Sequence, residues 1–221
     1  MKNVKVVIIG CGRVAEHYKK IFKILNYKKF KIVGVCDINT DKAASFSKYF
    51  NCQFDTNLED LITKTKADLA IISTPSGSHY NLSKIALKKN VNVLVEKPAC
   101  LFPKHIKELD KISKQQKLLF CVAFQNRFNS SIQIAKNNIN RLGKIVSSSV
   151  VLRWCRYQEY YNDEWHGTWL NDGGVTNQQA IHHIDALNYL IGPVQSVITS
   201  NSNRLNNLEA EDTSLSVFNL K

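Results

Sequence analysis

Through the first half of the chain, short apolar runs alternate with stretches of helical periodicity. Val4–Ile9, Ile32–Cys36, Leu69–Ser73, Asn92–Val95 and Leu118–Ala123 are continuous rather than alternating, the pattern of strands buried on both faces. Between the first two, Val14, Tyr18, Ile21, Phe22 and Leu25 recur at helical spacing and give an apolar stripe that can cover a sheet. Further helices are predicted over Asp41–Phe50, Leu58–Thr63, His79–Lys89 and Pro103–Gln116. Strand and helix in strict alternation predicts an α/β fold, a doubly wound parallel sheet of the Rossmann kind with right-handed crossovers.

After about Ala123 the rhythm changes. A helix near Ser130–Leu142 precedes a long strand-like stretch, Lys144–Arg156, and an aromatic loop, Gln158–Trp169. A helix from about Asn177 to Leu190 stops at Gly192-Pro193, and strands are predicted at Val194–Thr199 and Thr213–Leu220. The expected organisation is a nucleotide-binding domain over residues 1–123 and a second α/β domain over 124–221. The second is built on a mostly antiparallel open sheet that is incomplete, because its last strand has no partner after it.

The chain has 221 residues, enough for one large domain or two small ones, and its 44% hydrophobic and 22% charged composition is that of a globular protein. The net charge of +12 raises nucleic acid as a partner. However, 24 of the 30 basic residues are lysines scattered along the chain, with no arginine stripe to grip phosphates, so no nucleic-acid partner is expected. The six cysteines show no C-x-x-C spacing, and four lie in or beside apolar runs, as buried thiols of a reducing cytoplasm would. The opening run to Gly10-Cys11 resembles a lipoprotein signal, but Val6–Ile9 is too short for a signal-peptide core. No stretch approaches the ~20 apolar residues of a membrane span, so a cytoplasmic location without membrane contact is expected.

Gly10-Cys11-Gly12-Arg13-Val14-Ala15 follows the first strand and opens the first helix. A glycine permits the tight turn, and a second lets the backbone approach a pyrophosphate stabilised by the helix N-terminus. Ala15 takes the third small position, where helix packs closely on strand. Asp37 ends the second strand, where a carboxylate can accept both ribose hydroxyls and would repel a 2′-phosphate, which favours NAD over NADP. Ser73-Thr74-Pro75-Ser76-Gly77-Ser78-His79 and Val95-Glu96-Lys97-Pro98 follow two further strands, at the carboxyl ends where ligands bind in open parallel sheets.

In this order and spacing the G-x-G, T-P-x-x-x-H and E-K-P segments resemble the Gfo/Idh/MocA family of sugar oxidoreductases. The resemblance implies NAD as cofactor, with Gly10, Gly12, Arg13, Val14, Asp37, Ser73, Thr74, Pro75, His79, Glu96, Lys97 and Gln125 around it. It also implies that Lys97 is catalytic and that the bond before Pro98 is cis. An ammonium beside the reacting oxygen favours alkoxide character as hydride departs. Asn171-Asp172-Gly173-Gly174 and the run Gln178–Asp185 resemble the family's G-G segment and D-x-G-x-H-x-x-D helix, which assigns the proton-carrier or substrate-ligand role to His182, with His183 as competitor. Gln178 replaces the usual Asp or Asn one turn before His182, and a neutral amide does not raise a histidine pKa as a carboxylate does. A metal shared by His182, His183 and Asp185 is not expected, since adjacent helical histidines point about 100° apart.

The segments Phe124–Asn129, Trp154, Tyr157, Tyr160-Tyr161 and Trp165–Trp169 resemble the subgroup acting on UDP-N-acetyl-hexosamines and their uronic acids. Members oxidise the sugar 3-hydroxyl towards amino sugars of surface polysaccharides. By this resemblance Lys97, Arg127, Asn129, Trp165 and His182 face substrate, Arg127 pairing with phosphate or uronate while aromatics wall the sugar or uracil. The subgroup often has Arg where His166 stands. The expected protein is an NAD-dependent nucleotide-sugar dehydrogenase, homo-oligomeric through its C-terminal sheet. The alternatives are an inositol or other polyol dehydrogenase of the same family, or a truncated NAD-binding protein without catalysis.

Overall fold

The computed structural model describes residues 3–25, 29–163 and 165–220, so the first two residues of the signal-like opening, Met1 and Lys2, lie outside it. The chain divides into two compact units, Met1–Ala123 and Phe124–Lys221.

In the first unit β1 (Val4–Ile9), β2 (Phe30–Cys36), β3 (Gln53–Asp55), β4 (Leu69–Ile72), β5 (Asn92–Val95) and β6 (Phe120–Val122) form one parallel sheet in the order β3-β2-β1-β4-β5-β6. This is a doubly wound topology with its switch point between β1 and β4. Successive residues of β1 explain the uninterrupted apolar runs. Val6 and Ile8 pack under α1 (Arg13–Ile24) and α2 (Thr40–Phe50). Val7 and Ile9 pack on the other face with α3 (Leu58–Thr65), α4 (His79–Lys88) and α5 (Pro103–Gln116). Each such aliphatic side chain contributes about 1.5–3 kcal/mol when fully buried. The short edge strand β3 was not visible in the sequence: Gln53 and Phe54 are exposed, and three residues make no periodic signal.

Helix starts follow their capping residues. Asn39 accepts the Lys42 amide at the start of α2, and Asn57 accepts those of Glu59 and Asp60 at the start of α3. The start of α1 is different, because Gly12 stands at its N-cap and offers no side-chain bond.

The second unit holds α6 (Ser130–Asn138), α7 (Ile181–Ile191) and an antiparallel pair, β7 (Val194–Ser202) and β8 (Thr213–Leu220). The helix expected to run from Asn177 begins with a π-helical turn, Thr176–Ala180, so its register differs from that of a continuous α-helix. The strand predicted over Lys144–Arg156 does not form. Its apolar, β-branched composition is suitable, but a strand also requires a ladder partner, and this segment pairs with neither β7 nor β8. The segment, α7 and β8 instead border a groove of about 1250 Å³.

Cys11 and Cys36 are buried, Cys52 and Cys100 half-buried, and Cys121 and Cys155 exposed. Burial, reinforced by Asp37, pushes the Cys11 thiol up to about 12. No helix of the described residues is long and apolar enough to cross a membrane.

The β7–β8 connection is organised by Asp212, whose carboxylate accepts the backbone amides of Arg204, Leu205 and Asn206 at 2.9, 3.0 and 2.8 Å. Burial alone would raise its pKa, but these donors outweigh it and hold the group down at about 2. A depressed folded-state value stabilises the fold above the unfolded pKa of about 3.9 and loses that stabilisation as pH falls through the folded value. Asp212→Asn is therefore expected to cost about 1–2 kcal/mol at neutral pH, allowing for solvent screening, with the deficit vanishing between about pH 4 and pH 2. Tryptophan fluorescence during urea unfolding reports this, because Trp154, Trp165 and Trp169 all lie in the second unit. A deficit independent of pH would contradict the assignment.

Candidate active site

In the first unit three loops meet at the carboxyl ends of β1, β4 and β5. Gly10 has φ +88°, and a Cβ there would stand 2.8 Å from the Ser73 carbonyl, so this turn requires glycine on both conformational and steric grounds. Ser73 Oγ donates towards the Ile9 and Gly10 carbonyls at 3.1 and 3.0 Å, which ties the loop after β4 to the loop after β1. Gly12 has a different surrounding: nothing lies within 4 Å of where its Cβ would stand. Open space over uncapped helix amides is what a diphosphate needs, so these residues fit a dinucleotide. Arg13 and Val14 are exposed on the first turn of α1. Asp37 Oδ2 accepts the Cys11 amide at 2.7 Å and Oδ1 accepts the Asn39 amide at 2.8 Å. The carboxylate is thus oriented at the end of β2 while each oxygen keeps a further lone pair for a ribose hydroxyl.

His79, expected among the residues around the cofactor, is 1% exposed, and its ring nitrogens face the Pro98 and Thr74 carbonyls at 2.7 and 2.8 Å. The ring therefore acts as a brace between the T-P loop and the E-K-P loop. Burial disfavours its charged form and lowers its pKa, against the two carbonyls that would favour it. Thr74 Oγ1 pairs with Ser78 Oγ at 2.6 Å, and Pro75 is exposed at the start of that turn. The Lys97-Pro98 bond is cis. Glu96 accepts from Tyr18 Oη at 2.8 Å. Tyr18 had been read only as part of an apolar stripe, and sequence periodicity had no means of showing that its hydroxyl reaches Glu96, 78 positions on.

In the second unit Arg127, on the turn Gln125–Phe128, is held bidentately by the buried Asp185 of α7, Nε to Oδ2 at 2.8 Å and Nη2 to Oδ1 at 2.5 Å. That fork uses two of the five guanidinium N–H groups and leaves the outer edge with three. The side chain keeps 40% of its surface exposed, and the Asp185 hydrogen bond raises its pKa. Gln125 and Asn129 are exposed on the same turn, and Asn129 also caps α6 through the Ser131 amide. His182 meets the Phe124 ring edge to face at 6.2 Å. The Nδ1 of its neighbour His183 is buried with no hydrogen-bond partner among the described residues.

Gln178 is buried and donates from Nε2 to Asp172 Oδ1 at 2.6 Å. His166, 7% exposed, is braced by Asp163 through Nδ1 at 2.5 Å and by Tyr160 through Nε2 at 2.9 Å, with the Trp165 ring 3.6 Å away. The ring therefore ties the Asp163 and Tyr160 ends of the aromatic loop together. Burial would raise the Asp163 pKa, but the His166 backbone and ring donors lower it on balance. Among the described residues no cluster of His, Cys, Asp and Glu could hold a metal ion.

The loops of the first unit have the form of a dinucleotide-binding site at the switch point of a doubly wound sheet. The model of the oxidoreductase family with an NAD-binding Rossmann fold, GFO/IDH/MocA, matches residues 4–124, and that of the GFO/IDH/MocA C-terminal domain matches residues 137–221. The chain belongs to this family, and its first unit is the family's NAD-binding domain. Over its whole length it superposes on the WlbA dehydrogenase of Chromobacterium violaceum, solved with NADH and UDP-GlcNAcA, with TM-score 0.96 and 31% identity, covering 65% of that chain. WlbA of Bordetella pertussis, solved with the same two ligands, gives TM-score 0.94 and 29% identity over 98% of this chain and 63% of that one. The D-glucoside 3-dehydrogenase of Escherichia coli is 26% identical over 85% of this chain and 54% of its own length. The chain thus spans about half the length of such curated relatives.

The two glycines separate stability from binding. Gly10→Ala should destabilise the first unit by about 2 kcal/mol or more, through strain and the Ser73 contact. Gly12→Ala should leave the melting temperature within a degree or two but weaken NADH binding at least about tenfold, because its methyl would occupy the diphosphate approach. Thermal denaturation and NADH fluorescence titration of both variants check this, and equal effects of the two on binding would remove the distinction.

Proposed function

We propose that the protein is an NAD-dependent dehydrogenase that oxidises the 3-hydroxyl of a UDP-N-acetyl-hexosamine or its uronic acid, on the way to amino sugars of surface polysaccharides. The observation that carries this reading is the match over the full chain to two WlbA enzymes solved with NADH and UDP-GlcNAcA. Relatives named for 3-dehydrogenation of a glucoside, of glucose 6-phosphate and of UDP-N-acetylglucosamine support the position of attack.

NAD, when bound, supplies the hydride acceptor. The chain's own residues supply the rest. Gly10, Gly12, Arg13 and Val14 receive the diphosphate, Asp37 the adenosine ribose, and Ser73, Thr74, Pro75, Glu96 and Gln125 border the remainder. Lys97 donates a hydrogen bond to the reacting oxygen and stabilises its developing negative charge. His182 carries the hydroxyl proton away, Gln178 supports it, and the outer edge of Arg127 with Asn129 and Trp165 orients the anionic ligand. The exposed apolar residues Val197, Ile198, Leu215 and Val217 of β7 and β8 support homo-oligomerisation through this sheet. A cytoplasmic location agrees with a dinucleotide cofactor.

A second reading removes the nucleotide from the substrate. It is favoured by the glucoside and glucose 6-phosphate enzymes among the relatives. Steady-state NADH formation with UDP-N-acetylglucosamine, its uronate, and the corresponding sugars without UDP separates the two readings. Turnover is expected with the UDP-linked sugars only. Lys97→Ala should lower it at least about 100-fold while leaving NADH binding within a few-fold. Tight NADH binding with no turnover on any sugar would overturn both readings in favour of a non-catalytic binding protein.

A further inference from the structure

Asp37 and Glu96 stand at carboxyl ends of the parallel sheet, on opposite sides of the switch point between β1 and β4. Asp37 follows β2, on the side proposed for the adenosine ribose, and Glu96 follows β5. The Glu96 backbone amide extends the ladder to the Ile72 carbonyl at 2.9 Å, and its Oε1 accepts from Tyr18 Oη of α1 at 2.8 Å. Its Oε2 has no hydrogen-bond partner among the described residues and is not one of their buried unpartnered atoms, so that oxygen is open to a ligand. Tyr18 is 8% exposed, its ring packed with Ile8, Phe22 and Ile71 on one face of the sheet. Burial, reinforced by the Glu96 charge, pushes the phenol pKa up, so the hydroxyl stays a donor across the neutral range.

We infer that Tyr18 is a positioning residue for the nicotinamide half of the dinucleotide, its hydroxyl holding Glu96 Oε1 so that Oε2 accepts from a hydroxyl of the ribose on that side. A dinucleotide lies across the switch point with its diphosphate at the helix start beside Gly12, which places one ribose beyond β2 and the other beyond β4 and β5. The two acids then correspond. Asp37 is oriented by the Cys11 and Asn39 amides, and Glu96 by a phenol. Without that phenol a half-buried glutamate samples several rotamers and loses this freedom when it meets a ligand, whereas a held carboxylate has lost it already. Helix α1 thus presents its first amides to the diphosphate and, further along, carries the side chain that fixes the second acid, so one rigid element serves both ends of the reacting half. This role rests on the dinucleotide part of the function proposed above and not on the sugar.

Fragments of the cofactor separate this role from general support. ADP carries the diphosphate and the adenosine ribose only, whereas ADP-ribose and NADH add the second ribose. In calorimetric titrations of the full chain, Tyr18→Phe should leave ADP affinity within about twofold of the parent and weaken ADP-ribose and NADH each by about 5–20-fold. Glu96→Gln keeps an oxygen for the phenol but turns a donor outward, and it should show the same selective loss. The double variant should bind no more weakly than the weaker single variant, because the phenol acts only through the carboxylate.

A merely structural Tyr18 predicts equal losses for ADP and ADP-ribose that follow the fall in melting temperature, or no loss for either. Each of these results, or additive losses in the double variant, would overturn the inference. If Tyr18→Phe does not fold, the parent decides by NMR: with tyrosine isotopically labelled at Cζ, the Tyr18 resonance should move on addition of ADP-ribose and stay in place with ADP, and a resonance that answers both alike refutes the role. If the parent binds ADP-ribose but oxidises no sugar, the proposed substrate fails while the contrast between fragments still decides what Tyr18 does. A parent that binds none of the three removes the dinucleotide reading and the role of Tyr18 together.

Discussion

The closeness of Gly10 to the Ser73 backbone is the constraint on which the first unit's site depends. A side chain at that point would push β1 and β4 apart at the topological switch, where an open parallel sheet places its ligand crevice. Because the gap is that narrow, Ser73 Oγ can reach both carbonyls of the first turn, and His79 can brace the Thr74 and Pro98 carbonyls behind it. Lys97 therefore stands on a loop fixed from both sides. Tyr18 adds a third restraint from α1 through Glu96. The fully buried β-core supplies the rigidity, and the loops make use of it.

The second unit solves the same positioning problem with acidic side chains. Asp185 holds Arg127, Asp172 holds Gln178 and the Gly167 amide, Asp163 holds His166, and Glu211 reaches the start of the π-helical turn that leads into α7. Glu211 accepts the Thr176 amide at 3.1 Å, and its carboxylate lies where a Cβ on Gly174 would be, which explains the second glycine of that pair. Each acid accepts from a donor carried on a turn or at a helix start. A chain with few aliphatic contacts in this unit can thus still hold its polar side chains in defined orientations.

Most of the first unit was legible in the sequence because its strands are buried on both faces and its helices carry apolar stripes, so periodicity and burial coincide. The strand β3 escaped because three residues, two of them exposed, carry no such coincidence. The cofactor loop was legible for a related reason: glycine, helix start and strand end are all local features. What the sequence did not show are the long-range polar pairings, Tyr18 with Glu96, Arg127 with Asp185 and His79 with two carbonyls. Nothing in a one-dimensional pattern distinguishes an arginine that meets a ligand from one held by an acid 58 positions later. The failed strand at Lys144–Arg156 shows the complementary limit, since strand propensity is a property of the segment while a ladder belongs to two segments.

The Arg127–Asp185 pair bears on how an anion could be recognised at all. A lone exposed arginine is mobile and loses side-chain entropy on binding. Held through Nε and one Nη2 hydrogen by a buried carboxylate, it presents its outer N–H edge in one plane, at the cost of part of its charge. Such an edge discriminates by geometry more than by net charge, favouring a planar or two-oxygen acceptor such as a carboxylate or phosphate over a diffuse negative surface. The chain's large positive charge resides mainly on lysines scattered along the sequence, whereas this cation of the second unit is held in a fixed plane by a buried acid. Selectivity for a charged sugar would then arise from a single restrained guanidinium, and the overall basicity of the chain would be incidental to it.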